Sequence, residues 1–153
     1  MQTSDLTICV SVRDQRLDLR EGERIVASYP VSTSRFGLGS EAGSYKTPLG
    51  RFKISEKIGD GQPLGTVFRG RVPLAPNDPI PSTDDLILTR ILWLDGLEAH
   101  NANTHERFIY IHGTSHEDKI GQPDSHGCVR MKGDDLLALF ERVPLGTEVV
   151  IAA

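Results

Sequence analysis

A chain of 153 residues, 38% of them hydrophobic and 25% charged, can bury one core and is short for two, so we predict a single domain over residues 1–153. Its formal net charge of -4 argues against nucleic acid or an anionic membrane as a partner. No run approaches the roughly 20 apolar residues of a membrane span, and the first residues lack the features of an export signal. If Met1 is the native start, we expect a cytoplasmic protein.

The amino-terminal part is predicted to be antiparallel β-structure. Apolar residues alternate with polar ones over residues 6–12, and residues 24–33 form a second strand that we expect to pair with the first across a turn at 20–23. A glycine-rich stretch, 34–50, then leads into an alternating strand at 51–58.

Residues 72–85 contain four prolines, which exclude both a helix and a central strand. We therefore predict an irregular loop. Its length is compatible with a flap over a functional site, although an ordinary surface loop is the commoner outcome for such a segment.

The carboxyl-terminal part is predicted to contain buried strands and one helix. Apolar, β-branched and aromatic runs indicate strands at 86–94 and 107–113, so His112 lies at the end of a strand. The helix is predicted to begin with Asp134 or Asp135 as its N-cap and to end before Pro144. A last short strand covers residues 147–152.

Residues 125–130 read Ser-His-Gly-Cys-Val-Arg and concentrate reactive side chains in one loop. A nucleophilic cysteine acts as a thiolate, and a neighbouring imidazole can take its proton. His112 and His126 are both candidate bases for Cys128, and spacing does not decide between them. Gly127 permits a left-handed or closely approached backbone, and the amides of Gly127 and Cys128 can stabilise an oxyanion. Arg130 can bind a carboxylate or hold the loop through carbonyl groups.

Two other interpretations of these residues are a structural thiol and a zinc site. Cys128 could be a buried structural thiol, but a core has no use for so many polar neighbours. The histidines and Cys128 could bind zinc, but Gly-Thr-Ser between His112 and His116 disfavours the helix that such a pair needs. We expect no metal, reduced cysteines, and surface positions for His100, His105 and His116.

Several motifs together resemble the L,D-transpeptidase (YkuD-type) catalytic domain. Residues 112–114, His-Gly-Thr, and residues 125–131 resemble its signature, residues 45–54 its Thr-Pro-x-Gly-x-Phe segment, and residues 143–151 its final Gly-Thr strand. The resemblance implies a mainly β fold, a sandwich or half-barrel with one short C-terminal helix.

The resemblance also implies roles for residues around the loop. Cys128 would be the nucleophile of an acyl-enzyme mechanism, and His112 the base, oriented by the Gly113 carbonyl. The other expected site residues lie in the same loop or on the strands beside it: His126 and Gly127 at the oxyanion hole, Ser125 bracing the loop, and Arg130 and Tyr110 binding substrate.

The implied donor is a peptidoglycan tetrapeptide stem or muropeptide, attacked between the L-centre of its third residue and the terminal D-Ala, with no cofactor. Because we expect a cytoplasmic protein, we favour water as the acceptor, which makes the protein an L,D-carboxypeptidase of peptidoglycan recycling. The alternative is an L,D-transpeptidase that forms cross-links or exchanges D-amino acids. A non-catalytic module that binds wall peptides is a more distant alternative.

Overall fold

Ten strands form one mixed sheet in the described parts of the chain, residues 5–83 and 85–153 of a computed structural model. The strands are β1 Leu6–Ser11, β2 Arg16–Glu21, β3 Arg24–Ser32, β4 Gly50–Ile58, β5 Val67–Arg69, β6 Val72–Pro73, β7 Ile87–Gly96, β8 Tyr110–Gly113, β9 Val129–Met131 and β10 Glu148–Ala152. Their order is β4-β10-β1-β2-β3-β9-β8-β7-β5-β6, and a further pairing of β4 with β7 closes eight of them into a ring. The mainly β prediction is confirmed, and the sheet closes on itself as a barrel.

The amino-terminal strands pair differently from the prediction. Strand β1 pairs with β2, and β2 in turn pairs with β3, so the predicted direct hairpin between residues 6–12 and 24–33 is wrong. The missed strand carries Leu17 and Leu19, both fully buried, between charged residues. The charged residue between these leucines, Asp18, is also buried, and its carboxylate accepts hydrogen bonds from Arg16 and Ser28. A turn lies inside the predicted range 20–23, but it covers only residues 22 and 23 and joins β2 to β3, since Arg20 and Glu21 belong to β2.

The helix α1, Gly133–Arg142, closes one side of the core. Leu136, Leu139 and Phe140 are buried against the apolar side chains inside the barrel. The helix ends before Pro144 as predicted, but it begins at Gly133 with Lys132 as N-cap, which corrects the predicted start at Asp134 or Asp135. A distant carboxylate explains the earlier start: Glu117 Oε2 accepts a hydrogen bond from the Gly133 N–H at 2.8 Å.

The proline-rich segment is irregular over most of its length, as predicted. Its first two residues correct the prediction, because they form β6, which pairs with β5 at the edge of the sheet, where a proline is tolerated. Residue 84 of this segment, like residues 1–4 of the predicted domain, lies outside the described residues. Within the described ranges, no helix combines the length and apolar composition required to cross a membrane.

Candidate active site

The candidate site lies on the outward face of two adjacent short strands. Strands β8 and β9 run parallel, with Ile111 opposite Val129 and His112 opposite Arg130. Because successive side chains on a strand point to opposite faces, Ile111 and Val129 pack in the barrel core while His112 and Arg130 point away from it. Cys128 directly precedes β9 and shares this outward face. Cys128 and His112, sixteen residues apart in sequence, are thereby brought together as diagonal neighbours.

The Cys128 thiol is held by backbone groups of the neighbouring chain. The Tyr110 N–H donates to Cys128 Sγ at 3.3 Å, and the thiol donates to the Phe108 carbonyl at 3.4 Å. The residue keeps some exposed surface, but the surrounding atoms desolvate its sulfur, and this burial raises the pKa of the Cys128 thiol to about 12. At physiological pH the neutral thiol is therefore the favoured form of Cys128.

The His112 imidazole lies on the same outward face as Cys128. Its side chain is only 1% exposed, and Nδ1 lies 2.5 Å from the Gly113 carbonyl oxygen. A carbonyl can only accept, so Nδ1 carries the hydrogen and Nε2 holds a free lone pair. Burial lowers the pKa of His112, which favours the neutral form of the imidazole. Glycine is required at 113 because a Cβ there would lie 2.5 Å from the Leu88 carbonyl oxygen.

Both ring nitrogens of His126 are already occupied. Nε2 lies 2.9 Å from an Arg35 nitrogen and Nδ1 lies 3.0 Å from Asp85 Oδ2. A guanidinium can only donate, so Nε2 accepts from Arg35, and Nδ1–H donates to Asp85. No ring nitrogen is left to take the Cys128 proton. Sequence spacing left His112 and His126 open as bases, and this geometry favours His112.

Arg130 is buried between two carboxylates. It is 1% exposed, and its guanidinium lies 2.7 Å from Asp85 Oδ1 and 2.8 Å from Asp124 Oδ2. The expectation that Arg130 binds a substrate carboxylate needs correction, because its charge is already matched and water does not reach it. Arg130 instead holds the loop before Cys128 to the end of the proline-rich segment. It does so by ion pairs with two carboxylates, whereas the sequence predicted hydrogen bonds to carbonyl groups.

Asp85 was missed by sequence analysis. It is the last residue of the proline-rich segment, yet its carboxylate accepts a hydrogen bond from His126 and forms an ion pair with Arg130, both more than 40 residues away along the chain. No local pattern marks it, since a single aspartate after a loop is usually a solvated surface residue. This contact brings the end of the loop against the site. Whether the loop opens as a flap stays a prediction.

The loop before Cys128 is held by hydrogen bonds to its own backbone and to residue 47. Gly127 has φ +122°, a conformation that favours glycine. Ser125 Oγ donates to the Cys128 carbonyl at 2.6 Å and lies 3.3 Å from the Gly127 N–H, in keeping with the expected bracing role. Thr47 is fully buried, and its hydroxyl donates to the Gly127 carbonyl at 3.0 Å. Sequence analysis noted the Thr-Pro-x-Gly-x-Phe segment but gave Thr47 no role.

Tyr110 lies beside the nucleophile and is 3% exposed. Its ring packs against Trp93 with centroids 5.5 Å apart, and burial raises the pKa of its hydroxyl. Only its backbone N–H faces the sulfur directly, so direct substrate binding by Tyr110 stays a prediction. Among the other histidines, His105 stacks on Trp93 at 3.9 Å. Within residues 5–83 and 85–153, no three His, Cys, Asp or Glu side chains converge as metal ligands would.

Comparison with known proteins decides the family. The model of the L,D-transpeptidase catalytic domain, YkuD, matches residues 5–151. The chain belongs to the L,D-transpeptidase family. The resemblance seen in its histidine and cysteine motifs is confirmed, and members of this family are enzymes.

Relatives and solved structures agree with this assignment. YqjB of Bacillus subtilis, which bears an L,D-transpeptidase name, is 44% identical over 147 residues, covering 96% of this chain and 71% of that protein. The L,D-transpeptidase of Xylanimonas cellulosilytica superposes with a TM-score of 0.64 at 21% identity, covering 99% of this chain and 62% of that chain. L,D-transpeptidase 3 of Mycobacterium tuberculosis, solved with a faropenem-derived adduct, gives a TM-score of 0.63 at 14% identity, with coverages of 97% and 60%. The L,D-transpeptidase fold is thus confirmed, and this chain spans about three-fifths of each solved chain.

Proposed function

We propose that this L,D-transpeptidase-family chain cleaves the bond between the third residue and the terminal D-Ala of a peptidoglycan tetrapeptide stem or muropeptide, through a thioester on Cys128. The observation that carries the proposal is that the register of two adjacent parallel strands places Cys128 and His112 on one face, with the imidazole Nδ1–H donated to the Gly113 carbonyl. That bond leaves Nε2 as the basic atom.

Acylation of Cys128 would proceed in two steps. The Cys128 sulfur attacks the carbonyl carbon of the third residue while its proton passes to His112 Nε2, and the carbonyl oxygen becomes an oxyanion. Backbone amides of the loop at Gly127 and Cys128 are the expected donors to that oxygen. The intermediate then collapses: the C–N bond breaks, the D-Ala nitrogen takes the proton from the His112 imidazolium, and a thioester remains on Cys128.

We propose water as the acceptor that resolves the thioester. His112 would remove a proton from the water, the hydroxide would attack the acyl carbon, and the Cys128 thiol would re-form as the tripeptide leaves. Partial exposure of Cys128 supports this choice because water can reach the acyl group. The product is then that of an L,D-carboxypeptidase. The associated cytoplasmic location and recycling role stay predictions.

An amine acceptor is the second candidate, and the relatives favour it because they bear L,D-transpeptidase names. The amine of a second stem, or of a free D-amino acid, would attack the same thioester in place of water. Such an enzyme must hold the amine in position against about 55 M water, a proximity effect worth several kcal/mol.

Incubation with a soluble muramyl tetrapeptide separates the two acceptors by mass. Hydrolysis gives tripeptide plus D-Ala, and transfer gives a heavier dimer. We expect tripeptide as the main product, with minor exchange when a D-amino acid is in excess. Dimer as the main product at low acceptor concentration would overturn the choice of water. A carbapenem should add one drug mass to wild-type protein and none to Cys128→Ala, and an adduct on that variant would contradict the assigned nucleophile.

A further inference from the structure

An exposed arginine, Arg71, lies over the aromatic side chains beside the nucleophile. It occupies the tip of the β5–β6 hairpin, after Gly70, whose φ of +62° allows the tight turn. The Arg71 guanidinium carbon lies 5.0 Å from the centroid of the Trp93 ring and 5.3 Å from that of Phe108. These two cation–π contacts orient the planar guanidinium while leaving the side chain open to solvent.

Two contacts connect this guanidinium to the Cys128 thiol. Arg71 Nη1 lies 3.4 Å from the Tyr110 hydroxyl, and the backbone N–H of the same tyrosine donates to Cys128 Sγ. Phe108, beneath the guanidinium, provides the carbonyl that accepts the thiol hydrogen. A single residue, either Tyr110 or Phe108, therefore connects the guanidinium to the Cys128 sulfur.

The charge environment of Arg71 differs from that of Arg130. Within residues 5–83 and 85–153, no carboxylate lies within ion-pair distance of it. Arg130, in contrast, is buried and forms ion pairs with Asp85 and Asp124. Of these two arginines near the thiol, only Arg71 can pair with an arriving anion.

We infer that Arg71 binds a carboxylate of the donor peptide and thereby aligns the stem over Cys128; this inference rests on the proposed function. A guanidinium offers two parallel N–H groups that match the two oxygens of a carboxylate. Two carboxylates flank the scissile bond of a diaminopimelate-containing stem: that of the terminal D-Ala and that of the third residue's side chain. Either fits this chemistry, and the two are separable by amidation.

A binding measurement on an inactive background tests the inference. The variant Cys128→Ala is titrated with three tetrapeptides: the unmodified peptide, the peptide amidated at its terminal carboxylate, and the peptide amidated at the third side chain. Trp93, the one tryptophan in the chain, lies under the guanidinium and reports binding by fluorescence, with calorimetry as an independent measure of Kd. We expect Arg71→Gln to weaken binding of the unmodified peptide about tenfold, the effect of a solvent-accessible charge-assisted pair.

The amidated peptides identify the partner. The Arg71→Gln effect should vanish for whichever peptide has lost the recognised carboxylate and persist for the other. Arg71→Lys should retain part of the affinity because it keeps the charge but loses the paired donors. Arg69→Gln is the matched control on the same hairpin and should leave Kd unchanged, since the guanidinium of that residue donates a hydrogen bond to the Pro79 carbonyl.

An equal loss on all three peptides, or no loss on any, would overturn the inference. A loss of the same size in Arg69→Gln would also overturn it, because the effect would then arise from disturbing the hairpin. The proposed function is tested separately: wild-type protein that binds the unmodified peptide but neither releases D-Ala nor forms dimer would refute the function. The carboxylate-dependent affinity would still decide the role of Arg71.

Discussion

The two faces of β8 and β9 serve different purposes. The inward face presents Ile111, Val129 and Met131, which are fully buried in one apolar cluster. The outward face presents Tyr110 and His112 from β8, with Cys128 and Arg130 from the other segment, and each of these has a polar contact. Positions one residue apart therefore contribute to stability in one case and to chemistry in the other.

The outward face is itself divided between reacting and supporting groups. Cys128 and His112 are kept neutral by burial, which prepares them for coupled proton transfer. Arg130 is charged and equally buried, but two carboxylates compensate it. Burial alone thus does not separate function from structure here. What separates them is that two carboxylates compensate the charge of Arg130, whereas His112 uses Nδ1–H for the Gly113 carbonyl and keeps the lone pair of Nε2 for another partner.

The largest effect is expected from Cys128→Ala. Without the sulfur no thioester forms, so D-Ala release should fall to the uncatalysed level while the free energy of unfolding changes by no more than about 1 kcal/mol. Intact-mass analysis and urea unfolding measure the two quantities. Residual covalent turnover would show that another residue is the nucleophile.

His112→Ala should lower turnover by about 10²- to 10⁴-fold, the usual contribution of a general base. Because burial lowers the pKa of His112, its neutral basic form should persist below the ordinary value of 6.5, and wild-type activity should decline only at more acidic pH. A pH–rate profile measures the pH at which this decline in activity occurs. If His126→Ala were the more damaging change, His126 would be the base and the assignment would be wrong.

The Cys128 thiol should react slowly with iodoacetamide in the absence of substrate. With a pKa raised to about 12, the thiolate is present at about 1 part in 10⁴ at pH 8, so alkylation should be on the order of 10³-fold slower than for a free thiol. Its rate should rise tenfold per pH unit between about pH 8 and 11. Peptide mapping in a Cys9→Ser background measures it. A plateau near neutral pH would indicate a preformed thiolate–imidazolium pair.

Arg130→Met tests the supporting part of the outward face. Removing the guanidinium leaves the Asp85 and Asp124 carboxylates without their shared partner, and breaking a buried pair in this way costs about 3 kcal/mol. Urea unfolding should show that loss. The control Arg35→Met changes an exposed side chain of the same network and should alter stability by about 0.5 kcal/mol or less. Equal effects in both variants would contradict the supporting role of Arg130.

The smallest effect is expected on the inward face. Ile111→Val removes one buried methylene, at a cost of about 1 kcal/mol, and leaves the backbone of β8 and the His112 side chain in place. We expect kcat and KM to stay within about twofold of wild type. A tenfold fall in kcat would mean that the two faces are not energetically separable.

Local sequence patterns predicted strands well where a run of apolar residues marks a buried segment. The strands predicted at 51–58 and 86–94 match β4 and β7, and the helix end was found from Pro144. The strand predicted at 107–113 is shorter in the structure, because residues 107 and 108 form a turn and β8 begins at Tyr110. Strand β2 was missed although Leu17 and Leu19 alternate with charged residues as strand residues do. What the local pattern could not show is the burial of Asp18, which accepts a hydrogen bond from Ser28, ten positions away. The start of the helix was misplaced because its cap comes from Glu117 and not from a neighbouring side chain.

The sequence by itself determined the family and named Cys128, His112 and the glycines beside them, because those motifs need particular side chains and backbone angles at fixed local spacing. Only the tertiary structure decided which histidine has a free nitrogen, that Arg130 is already paired, and that Asp85, Thr47 and Arg71 surround the loop. The physical reason is that hydrogen bonds, desolvation and ion pairing depend on distances between atoms. Residues 40 to 80 positions apart acquire those distances only when the sheet closes.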